Sequence, residues 1–168
     1  MCSSDLRILE MGTLGGYSTI WLARALPVGG TMITLEANDH HATTARGNLA
    51  RAGLTGVVDV RVGPAIEALP KLAQEGAGPF DLIFIDADKA GTADYFAWAM
   101  RLARTGSVII VDNVVREGAV IDAASADESV GGIRRFMTTV AAEKRISATV
   151  MQTIGGKGWD GWFVGLVQ

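Results

Sequence analysis

The chain has 168 residues, of which 49% are hydrophobic and 20% are charged, a composition typical of a globular domain and not of a disordered segment. Its formal net charge of -3 argues against a broad nucleic-acid surface, which needs clustered Lys and Arg. Apolar runs such as SVIIV are too short to span a membrane. The single cysteine, Cys2, excludes an internal disulfide and suits a reducing cytoplasm, so we expect a cytoplasmic location.

The first six residues, MCSSDL, precede an apolar strand with no helix or cap ahead of it. They match the translation of a sequencing-adapter end read from a GTG start. We therefore expect residues 1–6 to be a non-native leader on a single domain that spans 1–168, and the natural protein to have more at its N-terminus.

Strand-like and helix-like segments alternate through most of the chain. The predicted strands in this part are LRILEMG, GTMITLEA, VVDVRVG, FDLIFIDA and GSVIIVDN. Helical spacing of apolar residues predicts helices in YSTIWLARALP, HHATTARGNLARAGL, AIEALPKLAQEG, TADYFAWAMRLA and VGGIRRFMTTVAAEK. Pro70 lies inside the third of these helices, where we expect a kink or an early end.

The last two predicted strands, SATVMQTI and GWFVGLV, are joined by the glycine-rich GGKGWDG. That link is too short for a parallel crossover, so these strands must pair antiparallel. The alternation before them predicts an α/β fold with a mostly parallel sheet and helices on both faces. Ligands of such sheets bind beyond the carboxyl ends of the strands, and the candidate site therefore lies at the strand ends.

A glycine-rich turn, EMGTLGGYS, follows the first strand and opens a helix. Its spacing, Gly12-x-x-Gly15-Gly16, departs from the pattern of dinucleotide binders. Glu10 would repel a pyrophosphate but suits an ammonium or sulfonium group, and Glu36 ends the second strand, where an acid accepts hydrogen bonds from a ribose. These features predict S-adenosylmethionine (SAM) as the ligand. The alternative is a turn that serves only the strand–helix connection.

Polar residues also end the fourth and fifth strands: the acid Asp86 follows the fourth, and the acid Asp112 with the amide Asn113 ends the fifth. Two carboxylates and an amide are hard oxygen ligands, which suit Mg²⁺, Ca²⁺ or Mn²⁺ and not zinc. Lys89 follows Asp86 by three residues, and a partly desolvated lysine beside a cation is a candidate base. The alternatives are an Asx turn at Asp112–Asn113 and a solvated lysine at a helix start.

From about Arg7 onward the sequence resembles the class I O-methyltransferases of the catechol and caffeoyl-coenzyme A type, in particular their small bacterial members. The segments that carry this resemblance are RILEMGTLGGYSTIWLARALP, FIDADKAGTADY, VDNVVREGAV and GGKGWDG. The resemblance implies a Rossmann-like sheet of seven strands with an antiparallel last strand. It implies cofactor contacts from Glu10, Gly12, Thr13, Ser18, Glu36, Ala65, Asp88 and Tyr95. It implies metal ligands at Asp86, Asp112 and Asn113, and catalytic roles for Lys89 and Asp86.

Two features depart from the family pattern. The N-terminal helices that cover the cofactor in family members, and that often join two subunits, have no counterpart here, and Glu117 replaces a substrate-contacting asparagine of plant members. We expect metal-dependent methyl transfer from SAM to a hydroxyl of a vicinal-diol, catechol-like aromatic acceptor, with Mg²⁺ as the first choice of cation. We expect no nucleic-acid or membrane partner. The sequence does not decide between a monomer and a homodimer. One alternative is a module that binds SAM or S-adenosylhomocysteine (SAH) with little turnover. A nicotinamide oxidoreductase is disfavoured by the glycine spacing.

Overall fold

The computed structural model describes residues 5–156 and 158–168. Most of the predicted leader, residues 1–4, and Lys157 lie outside the described residues. The strands are β1 (Arg7–Met11), β2 (Thr31–Glu36), β3 (Val58–Val62), β4 (Phe80–Ile85), β5 (Ala103–Asp112), β6 (Ile146–Gly155) and β7 (Gly158–Val167). The helices are α1 (Tyr17–Arg24), α2 (Asp39–Arg51), α3 (Ala65–Gln74), α4 (Thr92–Leu102) and α5 (Glu128–Ala142), with a 3₁₀ turn at Arg116–Ile121.

All seven strands form one sheet in the order β3-β2-β1-β4-β5-β7-β6. The first five strands in this order, β3, β2, β1, β4 and β5, are mutually parallel. Strand β7 runs antiparallel to both of its neighbours, β5 and β6. The predicted mostly parallel sheet with an antiparallel last strand is therefore confirmed. Strand order reverses between β1 and β4, and this reversal is where sheets of this type open a crevice for ligands.

Alternate residues of each strand face opposite sides of the sheet, and each side packs against its own helices. Ile8 belongs to a core with Ala23 of α1 and Leu49 of α2. Its neighbour Leu9 belongs to the other core, which α3, α4 and α5 cover. That second core contains three mutually edge-to-face rings, Phe96, Phe136 and Phe163, with centroids 5.0–6.1 Å apart. The predicted helices on both faces are thus confirmed.

Two local details differ from expectation, the early end of α3 and the length of the last link. Helix α3 continues through Pro70 to Gln74. The hydrogen bond that Pro70 cannot donate would have gone to Ile66, an exposed residue, so its loss is tolerated. The link between the last strands is also shorter than predicted, because β6 extends to Gly155 and β7 begins at Gly158. Most of GGKGWDG is therefore part of the hairpin strands.

Helix α5 supports the loop that carries Lys89 through a close backbone contact. A Cβ atom on Gly132 would lie 2.0 Å from the carbonyl oxygen of Lys89 and 2.7 Å from the Cα atom of Ala90. The neighbouring Gly131 has room, since its Cβ would meet only the side chain of Arg135 at 3.5 Å. The position of the Lys89 loop thus depends on the missing side chain at Gly132.

We predict that Gly132→Ala lowers the free energy of unfolding by about 1–3 kcal/mol, because the added methyl group forces α5 away from the loop. The matched control, Gly131→Ala, should raise it by up to about 1 kcal/mol, because Ala favours helix over Gly. Urea denaturation of both variants measures the difference. Equal effects at the two positions would contradict the proposed contact.

Candidate active site

The main cavity has a volume of about 720 Å³ and opens at the carboxyl ends of β1, β2, β4 and β5. Most of the predicted site residues line it: Gly12, Thr13, Ser18, Glu36, Ala65, Asp86, Asp88, Tyr95 and Asp112. Other lining residues received no individual role from the sequence, among them Leu14, Tyr17, Pro64 and Phe84. The structure therefore gathers residues that are distant in sequence around one space.

The glycine turn is held between the ends of two strands. The N–H of Gly12 donates to the carbonyl of Leu35 at 2.9 Å, and the N–H of Asp86 donates to the carbonyl of Met11 at 2.8 Å. Gly12 has a φ of +98°, and a Cβ atom there would lie 2.0 Å from the carbonyl oxygen of Asp86. Only glycine permits this turn, which places the start of α1 beside the end of β4.

Gly16 caps α1 in the left-handed conformation, with a φ of +83°, and as a glycine it offers no side chain to the backbone N–H groups of the first turn. The free N–H groups of a helix N-terminus attract the carboxylate or phosphate groups of ligands. The glycine turn therefore offers backbone donors to the cavity.

Glu10 lies beneath the cavity and does not line it. The carboxylate is fully buried and accepts hydrogen bonds from the hydroxyls of Ser18, Thr19 and Thr34 at 2.5–2.6 Å. Thr34 is the register partner of Glu10 on β2, and its hydroxyl also bonds to that of Thr13 at 2.6 Å. Burial raises the pKa of Glu10, although these hydroxyl bonds oppose the shift. Ser18 and Thr13 thus connect the buried charge to the cavity wall.

Glu36, at the end of β2, is oriented by backbone donors. The N–H of Leu14 donates to Oε2 at 2.8 Å, and the N–H of Asn38 donates to Oε1 at 2.9 Å. His41 lies beside it, with Nδ1 3.4 Å from Oε1. The carboxylate is therefore fixed at the cavity wall, at the position that the sequence predicts for a ribose contact.

Asp88 and Tyr95 form a second polar pair on the wall. The Tyr95 hydroxyl donates to one carboxylate oxygen of Asp88, and the N–H of Gly91 donates to the other at 2.8 Å. Burial raises the pKa of Tyr95, and Asp88 raises it further. Tyr95 is therefore a hydroxyl donor that holds Asp88 in place.

The strand register brings the predicted acids together. Ile85 and Val111 are partners across β4 and β5, so Asp86 and Asp112, the next residues, lie side by side. The Lys89 ammonium donates to Asp86 Oδ1 at 2.7 Å, and its side chain is only 11% exposed. Burial raises the pKa of Asp112, the charge of Asp86 adds to the shift, and Lys89 opposes it. We call Asp86, Lys89 and Asp112 the candidate catalytic corner; it combines two acids with one cation.

Asn113 is the predicted metal ligand that the structure places apart. Its φ of +58° turns the chain sharply after β5, and its N–H donates to Asp112 Oδ1 at 2.8 Å. Asn113 lines a second cavity of about 410 Å³ and not the main one. Among the described residues, no three His, Cys, Asp or Glu side chains form a metal-binding group. The predicted metal ligands include only two acids, Asp86 and Asp112, because the third ligand, Asn113, is an amide.

The strand order and the ligand cavity beside the glycine turn define the class as that of Rossmann-like, SAM-dependent methyltransferases. Residues 2–159 match the model of the O-methyltransferase family, and the chain belongs to this family. The predicted family, fold class and enzyme class, a SAM-dependent O-methyltransferase, are confirmed. Within the described part of the chain, no helix has the length and apolar character needed to cross a membrane.

Individual relatives agree with this assignment. A catechol O-methyltransferase of Niastella koreensis is 52% identical over 161 residues, covering 96% of this chain and 73% of that protein. One from Mycobacterium tuberculosis is 51% identical, covering 96% and 72%. The crystal structure of an O-methyltransferase from Bacillus cereus in complex with SAH superposes with a TM-score of 0.96 at 55% identity, covering 98% of this chain and 75% of that one. The O-methyltransferase TomG of Streptomyces achromogenes, in complex with SAM, gives 0.95 at 47%, covering 98% and 74%.

We predict that Glu10→Gln weakens SAM binding by about tenfold, because the neutral amide removes the negative charge behind Ser18. Isothermal titration calorimetry measures the affinity, and urea denaturation checks that the variant is folded. Thr19→Val is the matched control, since Thr19 bonds to the same carboxylate but does not line the cavity. It should reduce stability by about 1 kcal/mol and leave SAM affinity near that of the unaltered protein. An unchanged affinity in Glu10→Gln would refute the charge effect.

Proposed function

We propose that this protein transfers the methyl group of SAM to one hydroxyl of a vicinal-diol aromatic acceptor in a metal-dependent reaction. The observation that carries the proposal is the candidate catalytic corner, where Asp86 and Asp112 line the main cavity side by side and Lys89 is bonded to Asp86. The relatives named as catechol O-methyltransferases support the acceptor class. The acceptor is a small molecule, and the cytoplasmic location stays a prediction from the sequence.

The chain offers a separate partner for each part of SAM. Ser18 keeps acceptor capacity toward the cavity while it donates to Glu10, which suits the ammonium of the methionine part. Glu36, already oriented by backbone N–H groups, accepts from the ribose hydroxyls. Ala65 in the first turn of α3 offers an apolar surface for the adenine. Gly12, Thr13, Asp88 and Tyr95 complete this proposed cofactor site.

The donor set of the corner fits a divalent cation. Asp86 and Asp112 place two carboxylates side by side, and each hard oxygen suits Mg²⁺, with Ca²⁺ or Mn²⁺ as alternatives. We propose that Asn113 joins them when its amide turns from the second cavity toward Asp112, to which its own N–H is bonded. A cation bound there supplies Lewis acidity toward the acceptor hydroxyls.

We assign the acceptor proton to Lys89, whose side-chain nitrogen lies 2.7 Å from Asp86 Oδ1. Its amine takes the hydroxyl proton or, as an ammonium, stabilises the oxygen after the proton has left. The acceptor oxygen then forms a bond to the methyl carbon as the carbon–sulfur bond of SAM breaks. The bonding electrons stay on sulfur, so the products are SAH, the methyl ether and one proton. The cavity contributes by holding donor and acceptor in line.

A second candidate function is a module that binds SAM or SAH with little turnover. The observation that favours it is the open rim of the main cavity, where Leu14 is 64% and Tyr17 is 79% exposed. Methyl transfer benefits from a site that excludes water. Calorimetry with SAH, run beside a catechol methylation assay, separates the two functions. Tight binding without methylation would favour the module.

We predict that Asp112→Ala lowers Mg²⁺-dependent turnover of a catechol by at least about 100-fold, because the corner loses one of its two carboxylates. Binding of SAH, measured by calorimetry, should change by less than about threefold, since the ribose and methionine contacts remain. The matched control Asp59→Ala removes an exposed acid on β3, far from the corner, and should retain full turnover. Chelator should abolish turnover of the unaltered protein, and added Mg²⁺ should restore it. Full activity of Asp112→Ala in chelator would refute the metal role.

A further inference from the structure

His41 lines the main cavity, and the proposed function gives it no role. It lies in the first turn of α2, where the Asn38 side chain accepts the N–H groups of His40 at 2.9 Å and His41 at 3.3 Å. This cap fixes the start of α2 beside the end of β2. The His41 ring therefore stands against Glu36, with Nδ1 3.4 Å from Oε1, and its side chain is 42% exposed.

The carboxylate of Glu36 has few positions left for a ligand. Each oxygen of a carboxylate accepts about two hydrogen bonds. In Glu36, Oε2 accepts the N–H of Leu14 and Oε1 accepts the N–H of Asn38, so each oxygen keeps one further position. The two adjacent hydroxyls of a ribose, one on each oxygen, use both of these positions. On Oε1, His41 is the side chain that approaches the same position.

The charge of His41 decides whether it competes with a ribose for Oε1. A neutral imidazole carries one ring proton, and when that proton is on Nε2, the nearer nitrogen Nδ1 has no hydrogen to donate. In the imidazolium both nitrogens carry hydrogen, so Nδ1 becomes a charged donor that faces Glu36. The protonated ring therefore takes the position on Oε1 that the ribose needs.

We propose that His41 is a positioning residue for cofactor binding: its neutral ring leaves Glu36 Oε1 to a ribose hydroxyl, and its protonated ring occupies that oxygen. Histidine changes its charge between about pH 5 and pH 8. The affinity for SAM and SAH is therefore highest at the upper end of this range and falls as the pH falls. This inference rests on the proposed function, because Glu36 must be the ribose contact.

Other charged groups lie near His41, and the test must separate them from it. On α2, Asp39 is exposed, and the centroid of the His40 ring lies 6.4 Å from that of His41. On β3, which packs against α2, Asp59 and Arg61 form an ion pair with each other. The other titratable residues in the described lining of the main cavity are Tyr17, Asp86, Asp88, Tyr95 and Asp112.

The test measures the SAH affinity of the full chain by calorimetry at about pH 7.5 and about pH 6, on the two sides of the histidine range. We expect the Kd to rise about 2–3-fold at the lower pH, the effect of a half-exposed charge pair. Burial raises the pKa of Glu10, so this acid is a competing source of pH dependence. 5′-Methylthioadenosine, which has the ribose and adenine but no ammonium to meet Glu10, should show the same 2–3-fold change.

His41→Ala should abolish this pH dependence, because no ring then approaches Oε1, and its Kd values at the two pH values should agree. His40→Ala is the matched control. It removes the same ring from the neighbouring position, which is not among the described residues that line the main cavity, and should keep the 2–3-fold change. A ring that only stabilised α2 would change the affinity by one factor at both pH values.

NMR measures the same coupling from the side of the proton. If protonation of His41 weakens SAH binding, SAH must disfavour the protonated ring by the same factor. The chain has two histidines, so His40 serves as an internal reference. Addition of SAH should move the titration of the His41 ring signal to lower pH and leave that of His40 in place.

Three results would overturn the role of His41: an SAH affinity that does not change between the two pH values, a pH dependence that survives His41→Ala, or a His41 signal whose titration SAH does not move. None of them contradicts the ribose contact. Glu36→Gln tests that contact separately. If this variant binds SAH as tightly as the unaltered protein, the proposed ribose contact fails, and the role of His41 fails with it.

Discussion

The contact between the backbone of Gly12 and the carbonyl of Asp86 joins the two halves of the site. It lies where strand order reverses, between β1 and β4, and it leaves no room for a Cβ atom, which would stand 2.0 Å from the Asp86 oxygen. In the proposed function, one half, the glycine turn and the start of α1, binds the cofactor. The other half, the ends of β4 and β5, presents the acids. Because both halves line one cavity, the proposed function has the methyl donor and its acceptor share that cavity.

Negative charge is concentrated on one face of the sheet, around the contact between Gly12 and Asp86. Glu10 on β1 and the acids that follow β4 and end β5 belong to the same face of the sheet. Burial raises the pKa of both Glu10 and Asp112, and the charge of Asp86 adds to each shift. Holding these carboxylates together costs stability. The arrangement suits ligands that bring positive charge, namely a sulfonium donor and a divalent cation.

Much of this architecture follows from the sequence, because its signals are local. Continuous apolar strands predict a parallel sheet, the short last link predicts an antiparallel pair, and polar residues at strand ends predict the site. The sequence did not predict what depends on tertiary packing. The donors to Glu10 come from α1 and β2, and nothing local to β1 reveals that the carboxylate lies below the cavity. The left-handed turn at Asn113 directs that residue to the second cavity, a direction that the strand pattern does not encode.

The central claim is that cofactor and acceptor meet at Asp86 and Asp112. A crystal structure of the protein with SAH, Mg²⁺ and a catechol tests it most directly. We expect one ion held by Asp86, Asp112 and Asn113, with both catechol oxygens at that ion and one of them facing the SAH sulfur. A catechol bound away from the corner, or an Asn113 amide that stays in the second cavity while an ion binds elsewhere, would contradict it.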